Sequence, residues 1–149
     1  MTRKLALAGS VLAMLAVSAG AVFGHGDVQP QEVQTDGLEK LGEDWRDENP
    51  YRGNAAAIKI GASGYNQNCA RCHGLEVISG GLAPDLRYLE KGKDGDEWVK
   101  ERVMHGASIN GVTQMPVFAG VLSQAGLWAV RSHPESKHEE HGAARRRAL

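Results

Sequence analysis

Apolar residues recur at helical spacing in three stretches of the chain. The first stretch begins at Asn54, a residue type that caps helices well, and continues through three alanines, which favour helix. The residues that share its apolar face are Ala57, Ile58, Gly61, Ala62 and Tyr65. Because glycine is costly inside a helix, Gly61 predicts close contact with another element.

A second helix is predicted from about residue 95 to His105. Asp94 or Asp96 can cap its start, and Gly106 can end it. Helical spacing predicts an inner face made of Trp98, Val99 and Val103.

The last predicted helix follows Ser123, which can cap it, and contains the apolar run from Leu127 to Val130. Pro134 is predicted to stop this helix, because a proline pushes the residue before it out of helical geometry. In no segment do apolar and polar residues alternate for long enough to predict a strand. The predicted fold class is therefore all-α.

The chain opens with the pattern of an exported precursor. Arg3 and Lys4 precede an uncharged apolar run over residues 5–22, and small residues offer cleavage sites before His25. The alternative is a membrane-anchoring helix, but the run is short for a span of about 20 residues. We therefore predict a signal peptide at residues 1–24, with membrane attachment only if that segment is retained. A mature chain of about 125 residues fits one small domain.

Three further segments are distinguished by composition. Residues 25–53 are predicted to form an extended arm, because they are polar and interrupted by prolines and glycines. The large apolar side chains that could pin this arm are Leu38, Leu41, Trp45 and Tyr51. The folded domain is predicted at residues 54–132. Residues 133–149 are charged and are predicted to be disordered.

The formal charge is uneven along these segments. Residues 25–53 hold eight acids and three bases, whereas residues 54–132 hold seven acids and eight bases. A nucleic-acid-binding protein would show a basic patch or stripe, so nucleic acid is not a predicted partner. The acidic arm either steers a partner by long-range attraction or is simply solvated.

The two cysteines of the chain, Cys69 and Cys72, are three positions apart, and His73 follows directly. This spacing is the attachment pattern of c-type haem, in which each thiol adds to one vinyl group and the imidazole can bind the iron. A thioredoxin-like dithiol would follow a strand, and a zinc site would need further ligands. A disulfide across two residues would be strained. We therefore predict one covalently attached haem c and export to the periplasm.

A haem that transfers electrons needs a second axial ligand, and a methionine thioether favours the reduced iron. Met1 and Met14 fall within the predicted signal peptide. Met104 is predicted to face solvent from the second helix, whereas Met115 lies in a turn-rich loop before Pro116. Met115 is therefore the preferred ligand, although it could instead fill a gap in the core. The rival ligands are His25, His105, His133, His138 and His141.

Taken in order, these motifs resemble class I cytochromes c over about residues 54–132. The matching text is Cys69-Ala70-Arg71-Cys72-His73-Gly74, Ala83-Pro84-Asp85-Leu86, Met115-Pro116-X-Phe118 and Leu127-Trp128-Ala129-Val130. The resemblance implies the class I cytochrome c fold, with three to five helices around one haem. Gly126 and the pair His133-Pro134 depart from the family pattern, which predicts a shorter last helix.

The same resemblance assigns roles to individual residues. It implies haem thioethers at Cys69 and Cys72, and iron ligation by His73 and Met115. It also implies that the Pro84 carbonyl lies beside His73. The first helix is expected to cross the last one through Gly61 and Tyr65, near Trp128.

The resemblance is closer still to PedF-type cytochromes c-550, which serve PQQ-dependent alcohol dehydrogenases. It rests on His25-Gly26-Asp27-Val28, Asn49-Pro50-Tyr51-Arg52-Gly53, Tyr65-Asn66-Gln67-Asn68 and Leu75-Glu76-Val77-Ile78-Ser79-Gly80-Gly81. It implies a periplasmic electron carrier rather than an enzyme, with a quinoprotein dehydrogenase as donor and an oxidase or another cytochrome as acceptor.

Three alternatives stay open at this point. One is an electron donor to a different periplasmic redox enzyme. Another is a haem protein with an open iron face, such as a gas sensor or a small haem enzyme. The third is a metal-handling protein that uses His25 and the histidines near the C-terminus.

Overall fold

The computed structural model describes residues 29–147, so the predicted signal peptide lies outside the described residues. Its elements are helix α1 (Ala55–Asn68), helix α2 (Ala70–His73), two 3-10 turns (Leu75–Val77 and Leu86–Tyr88), helix α3 (Lys93–His105), strands β1 (Ala107–Ile109) and β2 (Val112–Met115), and helix α4 (Gln124–Arg147). Among the described residues, no helix combines the length and the apolar character needed to cross a membrane.

Helix α1 crosses helix α4 at the glycine that the sequence singled out. A Cβ atom on Gly61 would lie 1.8 Å from the Ala129 carbonyl oxygen, so this position must be glycine for the two backbones to touch. Asn54 caps α1 as predicted, since its side-chain oxygen accepts hydrogen bonds from two N–H groups of the first turn. The predicted close approach of the first and last helices at Gly61 is confirmed, and the contact is with Ala129, next to Trp128.

The core forms on both sides of this crossing. Trp128 is 1% exposed and packs with other buried side chains from the arm and the two helices, namely Tyr51, Ala57 and Ala125. A second cluster surrounds Phe118 and Leu122 and includes Val33 of the arm. Both clusters therefore use arm residues to complete the packing between the helices.

The described part of the arm has no helix or strand, yet it is pinned along its length. Leu38 and Leu41 pack against the Trp128 cluster, and the Trp45 ring meets the Trp128 ring edge-on at 6.4 Å. Gln124, the first residue of α4, accepts a hydrogen bond from the Arg46 N–H at 2.7 Å. The predicted apolar anchors thus hold an irregular segment in place.

A buried ionic network joins the arm to α3 and α4. Asp96 is fully buried and accepts hydrogen bonds from Arg131 Nε at 2.9 Å and Arg52 Nη2 at 2.5 Å. Arg52 Nε also donates to Glu135 at 2.7 Å. Asp96 was predicted as a possible cap of α3, but it serves as the acceptor for two arginines. Helix α3 instead begins at Lys93 without a side-chain cap.

The inner face predicted for α3 is only partly covered by protein. Trp98 is 43% exposed, and Val99 and Val103 are half-buried. The Arg102 guanidinium lies over the Trp98 ring, 5.3 Å from its centre. The apolar face of this helix therefore remains available to a further apolar group.

The fold is helix-rich but not purely all-α, which corrects the predicted fold class. Strands β1 and β2 form an antiparallel hairpin around Asn110 and Gly111, both of which have positive φ angles. The strands have only three and four residues, which is too short for an alternating pattern to be recognised in sequence.

Helix α4 does not stop at Pro134, and residues 133–147 are helical rather than disordered. These results correct the predicted helix end and the predicted disordered tail. A proline inside a helix removes one backbone hydrogen bond, but tertiary burial outweighs that cost here. Five consecutive residues are buried around the proline: Arg131, Ser132, His133, Pro134 and Glu135.

Burial of His133 predicts a pH dependence of stability. Burial, followed by the positive charge of Lys137, holds the pKa of His133 below its ordinary value of 6.5, although Glu76 and Glu140 oppose the shift. The unfolded chain therefore binds more protons than the native chain below about pH 6.5, and the free energy of unfolding should fall as the pH drops through that value. Denaturant unfolding of the holoprotein at pH 7.5 and pH 5 measures this loss.

His133→Phe tests this prediction, and His105→Asn is its control. The ring centres of His133 and Tyr65 lie 5.2 Å apart, so His133→Phe keeps a ring against Tyr65. Because phenylalanine does not titrate, this variant should show a smaller pH dependence of the free energy of unfolding. His105 has a side chain that is 64% exposed, so His105→Asn should leave the pH dependence unchanged. An unaltered pH dependence in His133→Phe would contradict the prediction.

Candidate functional site

Cys69, Cys72 and His73 follow directly from the C-terminal end of α1. The Cys69 N–H donates to the Tyr65 carbonyl at 2.7 Å, and the single-turn helix α2 then begins at Ala70. The N–H groups of Cys72 and His73 both donate to the Cys69 carbonyl, at 3.1 and 3.0 Å. One helical turn thus carries both thiols and the imidazole.

Both thiols are free and half-buried. Burial raises the pKa of the Cys69 thiol to about 12, and the neighbouring Cys72 thiol adds to the rise. The two sulfur atoms are not joined in a disulfide, so each is available to form a bond of its own. Attachment of haem c uses one such sulfur atom for each of two vinyl groups.

The backbone reverses sharply after His73. Gly74 has a φ angle of 84°, and a Cβ atom there would lie 1.8 Å from the Ile78 carbonyl oxygen. Only glycine fits this position. The Tyr65 hydroxyl donates a hydrogen bond of 2.9 Å to the Gly74 carbonyl, which ties the turn back to α1.

His73 is oriented by a second loop. Its Nδ1 atom lies 2.8 Å from the Pro84 carbonyl oxygen, so the carbonyl accepts a hydrogen bond from the Nδ1 proton. This contact is the one implied by the family resemblance. With the proton on Nδ1, Nε2 carries the lone pair and is the nitrogen that can bind a metal.

Asp85 holds the loop that presents Pro84. It accepts hydrogen bonds from the Arg87 N–H at 3.0 Å and from the Arg87 side chain, and it lies 3.4 Å from the Ser79 N–H. Chiefly because of the Arg87 side chain, the pKa of Asp85 is lowered to about 2. Asp85 was not among the predicted site residues, although an aspartate before a short helical turn is a recognisable capping signal.

Met115 lies at the end of β2. It was expected in an irregular loop, but it pairs with Ala107 across the hairpin. Its side chain is half-buried and packs against the Phe118 cluster. Met104 is also half-buried rather than facing solvent. Burial alone therefore does not separate the two methionines.

The position of Met115 is set by the C-terminal end of α3. A Cβ atom on Gly106 would lie 2.5 Å from the Met115 carbonyl oxygen, so strand and helix end are in close contact. The Phe118 N–H donates to the Val103 carbonyl at 2.9 Å. These contacts fix the segment on both sides of the methionine.

Several large apolar side chains between residues 75 and 117 are exposed. Leu75 and Leu82 are 72% and 74% exposed, and further exposed apolar residues are Ile78, Tyr88, Trp98 and Val117. Tyr88 and Trp98 line one shallow cleft. A protein surface seldom leaves so much apolar area open without a group to cover it. The free thiols, the oriented imidazole and these side chains fit a covalently bound haem.

The described residues show no cluster of three or more His, Cys, Asp or Glu side chains that could hold a metal ion. The rival ligand His133 is buried in α4 against Tyr65, and His141 packs against the Tyr88 ring at 5.7 Å. The sequence also raised His25, which lies outside the described residues.

The chain is similar to a protein family and to known cytochrome and dehydrogenase sequences. A family model described as cytochrome c oxidase, cbb3-type, subunit III matches residues 56–133. Cytochrome c550 of Pseudomonas aeruginosa is 61% identical over 132 residues, which covers 86% of this chain and 90% of that protein. No solved structure matches the chain.

A third match is much shorter. The quinohemoprotein alcohol dehydrogenase ADH-IIG of Pseudomonas putida is 50% identical over 34 residues, which is 23% of this chain and 5% of that enzyme.

The cytochrome c550 match covers most of both chains, and the family model covers the segment that carries the cysteines, His73, Pro84 and Met115. The haem is therefore of the covalently bound c type, and the protein transfers electrons rather than catalysing a reaction of its own. By these matches and by the geometry around His73, the chain belongs to the class I c-type cytochromes.

Proposed function

We propose that this cytochrome is a periplasmic monohaem carrier. It takes single electrons from a PQQ-dependent alcohol dehydrogenase and passes them to a terminal oxidase or another cytochrome. The observation that carries the site assignment is the hydrogen bond of 2.8 Å between His73 Nδ1 and the Pro84 carbonyl. That bond leaves Nε2 as the nitrogen for an axial bond to iron.

Each residue of the site has a proposed part. Cys69 and Cys72 would hold the haem through two thioether bonds, and His73 and Met115 would bind its iron. The haem supplies one-electron chemistry through its iron, which cycles between two oxidation states. The hydrogen bond to the Pro84 carbonyl would hold the His73 ring in one orientation in both oxidation states.

The residues around the site offer apolar surface to a haem and hold the two segments that carry His73 and Met115. Leu75, Leu82 and Trp98 provide apolar surface against which a porphyrin can pack. Asp85 and Arg87 hold the Pro84 loop through paired hydrogen bonds. Gly106 allows close contact between α3 and the Met115 segment. If the ligands move little when the iron changes oxidation state, electrons can pass rapidly to and from partner proteins.

Two observations support the compartment and the donor. Residues 1–24 have the charge, apolar run and small-residue cleavage sites of a signal peptide, and c-type haem is attached outside the cytoplasm. The short match to a quinohemoprotein alcohol dehydrogenase links this type of sequence to alcohol oxidation. Docking between such redox partners is expected to be small and transient.

The direct test is reduction by the proposed donor. Oxidised holoprotein is mixed with a purified PQQ-dependent alcohol dehydrogenase and its alcohol at physiological salt, and the visible spectrum is followed. We expect reduction that depends on both enzyme and alcohol. The control replaces the donor with a chemical reductant such as ascorbate, which shows that the haem itself can accept electrons.

The reactions with ascorbate and with the dehydrogenase test the electron carrier and its proposed donor separately. Reduction by ascorbate without reduction by the dehydrogenase would contradict the proposed donor and leave the electron carrier intact. Failure of both arms would contradict the carrier itself.

A further inference from the structure

The last part of helix α4, residues 134–147, lies against the two loops that surround His73. We call this segment the C-terminal extension. The first loop, residues 74–78, follows His73 directly, and the second, residues 84–88, presents the Pro84 carbonyl. His73 is the last residue of α2 and directly precedes the first loop, so its hydrogen bond to Pro84 joins the start of the first loop to the second loop. Its geometry therefore depends on what holds the loops relative to each other.

The first loop is strained. Glu76 and Val77 are consecutive non-glycine residues with φ angles of 55° and 66°. Positive φ is uncommon for any side chain and unfavourable for a β-branched one. Such a conformation persists only where surrounding contacts enforce it.

Two sets of contacts enforce this conformation. Val77 is fully buried and packs with Tyr65 and Ala70. Glu76 forms an ion pair with Lys137 of the C-terminal extension, with 2.9 Å between Nζ and Oε2. His133, next to the extension, packs its ring on Tyr65, whose hydroxyl binds the Gly74 carbonyl.

The second loop is held from the same helix. The Tyr88 ring meets the His141 ring edge-on, with centres 5.7 Å apart. Glu139 forms an ion pair with Lys91, three residues beyond this loop. The same helix thus contacts the loop on each side of the His73–Pro84 hydrogen bond.

We propose that the C-terminal extension is a brace that positions His73, because it holds these two loops at the separation that the hydrogen bond requires. Lys137 and Glu76 are positioning residues in this scheme, and His141 acts on the second loop through Tyr88. The inference rests on the proposed ligation of haem iron by His73, which Pro84 orients.

The test uses charge reversal in the full-length holoprotein. The variants are Glu76→Lys, Lys137→Glu and the double variant that carries both changes. The measurement is the exchange rate of the His73 Nδ1 proton with solvent, by NMR in the reduced, diamagnetic state. We expect each single variant to exchange about threefold faster or more, the scale of a partly exposed ion pair, and the double variant to return within about twofold of the wild type.

Lys100→Glu is the matched control. The Lys100 side chain is 24% exposed, close to the 25% of Lys137, and its partner Asp47 lies in the arm rather than in either loop. This variant should leave the exchange rate unchanged. Exchange in the single variants at the rate of Lys100→Glu would overturn the proposal. Lys137 also pairs with Glu140 at 3.2 Å, so the variants are compared in a Glu140→Gln background, which removes that second partner. Faster exchange that the double variant does not reverse there would also overturn the proposal, since the Glu76–Lys137 ion pair would then not be the cause.

The wild-type spectrum separates this proposal from the proposed function. A histidine bound to haem iron has ring protons with large ring-current shifts. If the His73 protons lack these shifts, the ligation itself is wrong. If they are present and the variants exchange normally, only the brace is wrong.

Discussion

Replacing Met115 with alanine is expected to abolish the near-infrared charge-transfer band of the oxidised protein, which reports a methionine–iron bond. The reduction potential should fall on the order of 0.2 V, a fraction of the roughly 0.8 V over which axial ligands set haem potentials. The thioether is a soft ligand that favours the reduced iron, so its loss stabilises the oxidised state. The spectrum and a redox titration measure both effects.

The structure predicts that this effect is local. The Gly106–Met115 contact and the hydrogen bond from Phe118 to Val103 involve backbone atoms, which alanine retains. Met104→Ala is the matched control, since Met104 is also half-buried but belongs to helix α3. It should keep the band and the potential. Loss of the band in Met104→Ala together with its retention in Met115→Ala would reverse the ligand assignment.

Gly61→Ala is expected to destabilise the protein by about 3 kcal/mol, at the upper end of the range for overpacking. The added methyl group would meet the Ala129 carbonyl oxygen at 1.8 Å. Because that oxygen is a backbone atom within α4, no side-chain rotation relieves the clash, and the two helices must separate. Denaturant unfolding of the holoprotein measures the loss.

The same substitution at Gly142 provides the control within a helix. There the nearest atom to a new Cβ belongs to the flexible end of Arg146, at 3.4 Å. Alanine favours helix over glycine by roughly 0.5–1 kcal/mol, so Gly142→Ala should stabilise slightly. Equal effects of the two substitutions would mean that the crossing of α1 and α4 is looser than the structure describes.

Features that depend on neighbours in sequence were predictable. The Asn54 cap of α1, the end of α3 at Gly106 and the cap by Ser123 each follow from the preference of one residue for one backbone position. The Cys69-X-X-Cys72-His73 unit is equally local, because one helical turn brings its three side chains together. Gly61 was identified because a glycine inside a helix needs a reason beyond propensity.

Features that depend on distant contacts were not predictable. Pro134 predicted the end of the helix, yet burial of the surrounding residues keeps α4 helical to Arg147. Asp96 carries no signal that distinguishes a helix cap from a buried partner of Arg131 and Arg52. The hairpin that ends at Met115 is too short for its strands to show a period.

The sequence by itself determined the chemistry of this protein. It specified two thiols and an imidazole in a five-residue unit and a short set of candidate sixth ligands, since these follow from residue type and spacing. Only the tertiary structure decided how that unit is held. It packs the arm onto the helix crossing and carries α4 past Pro134 to meet the loops on both sides of the His73–Pro84 hydrogen bond. The physical reason is that burial and long-range hydrogen bonds outweigh local preference once the chain has folded.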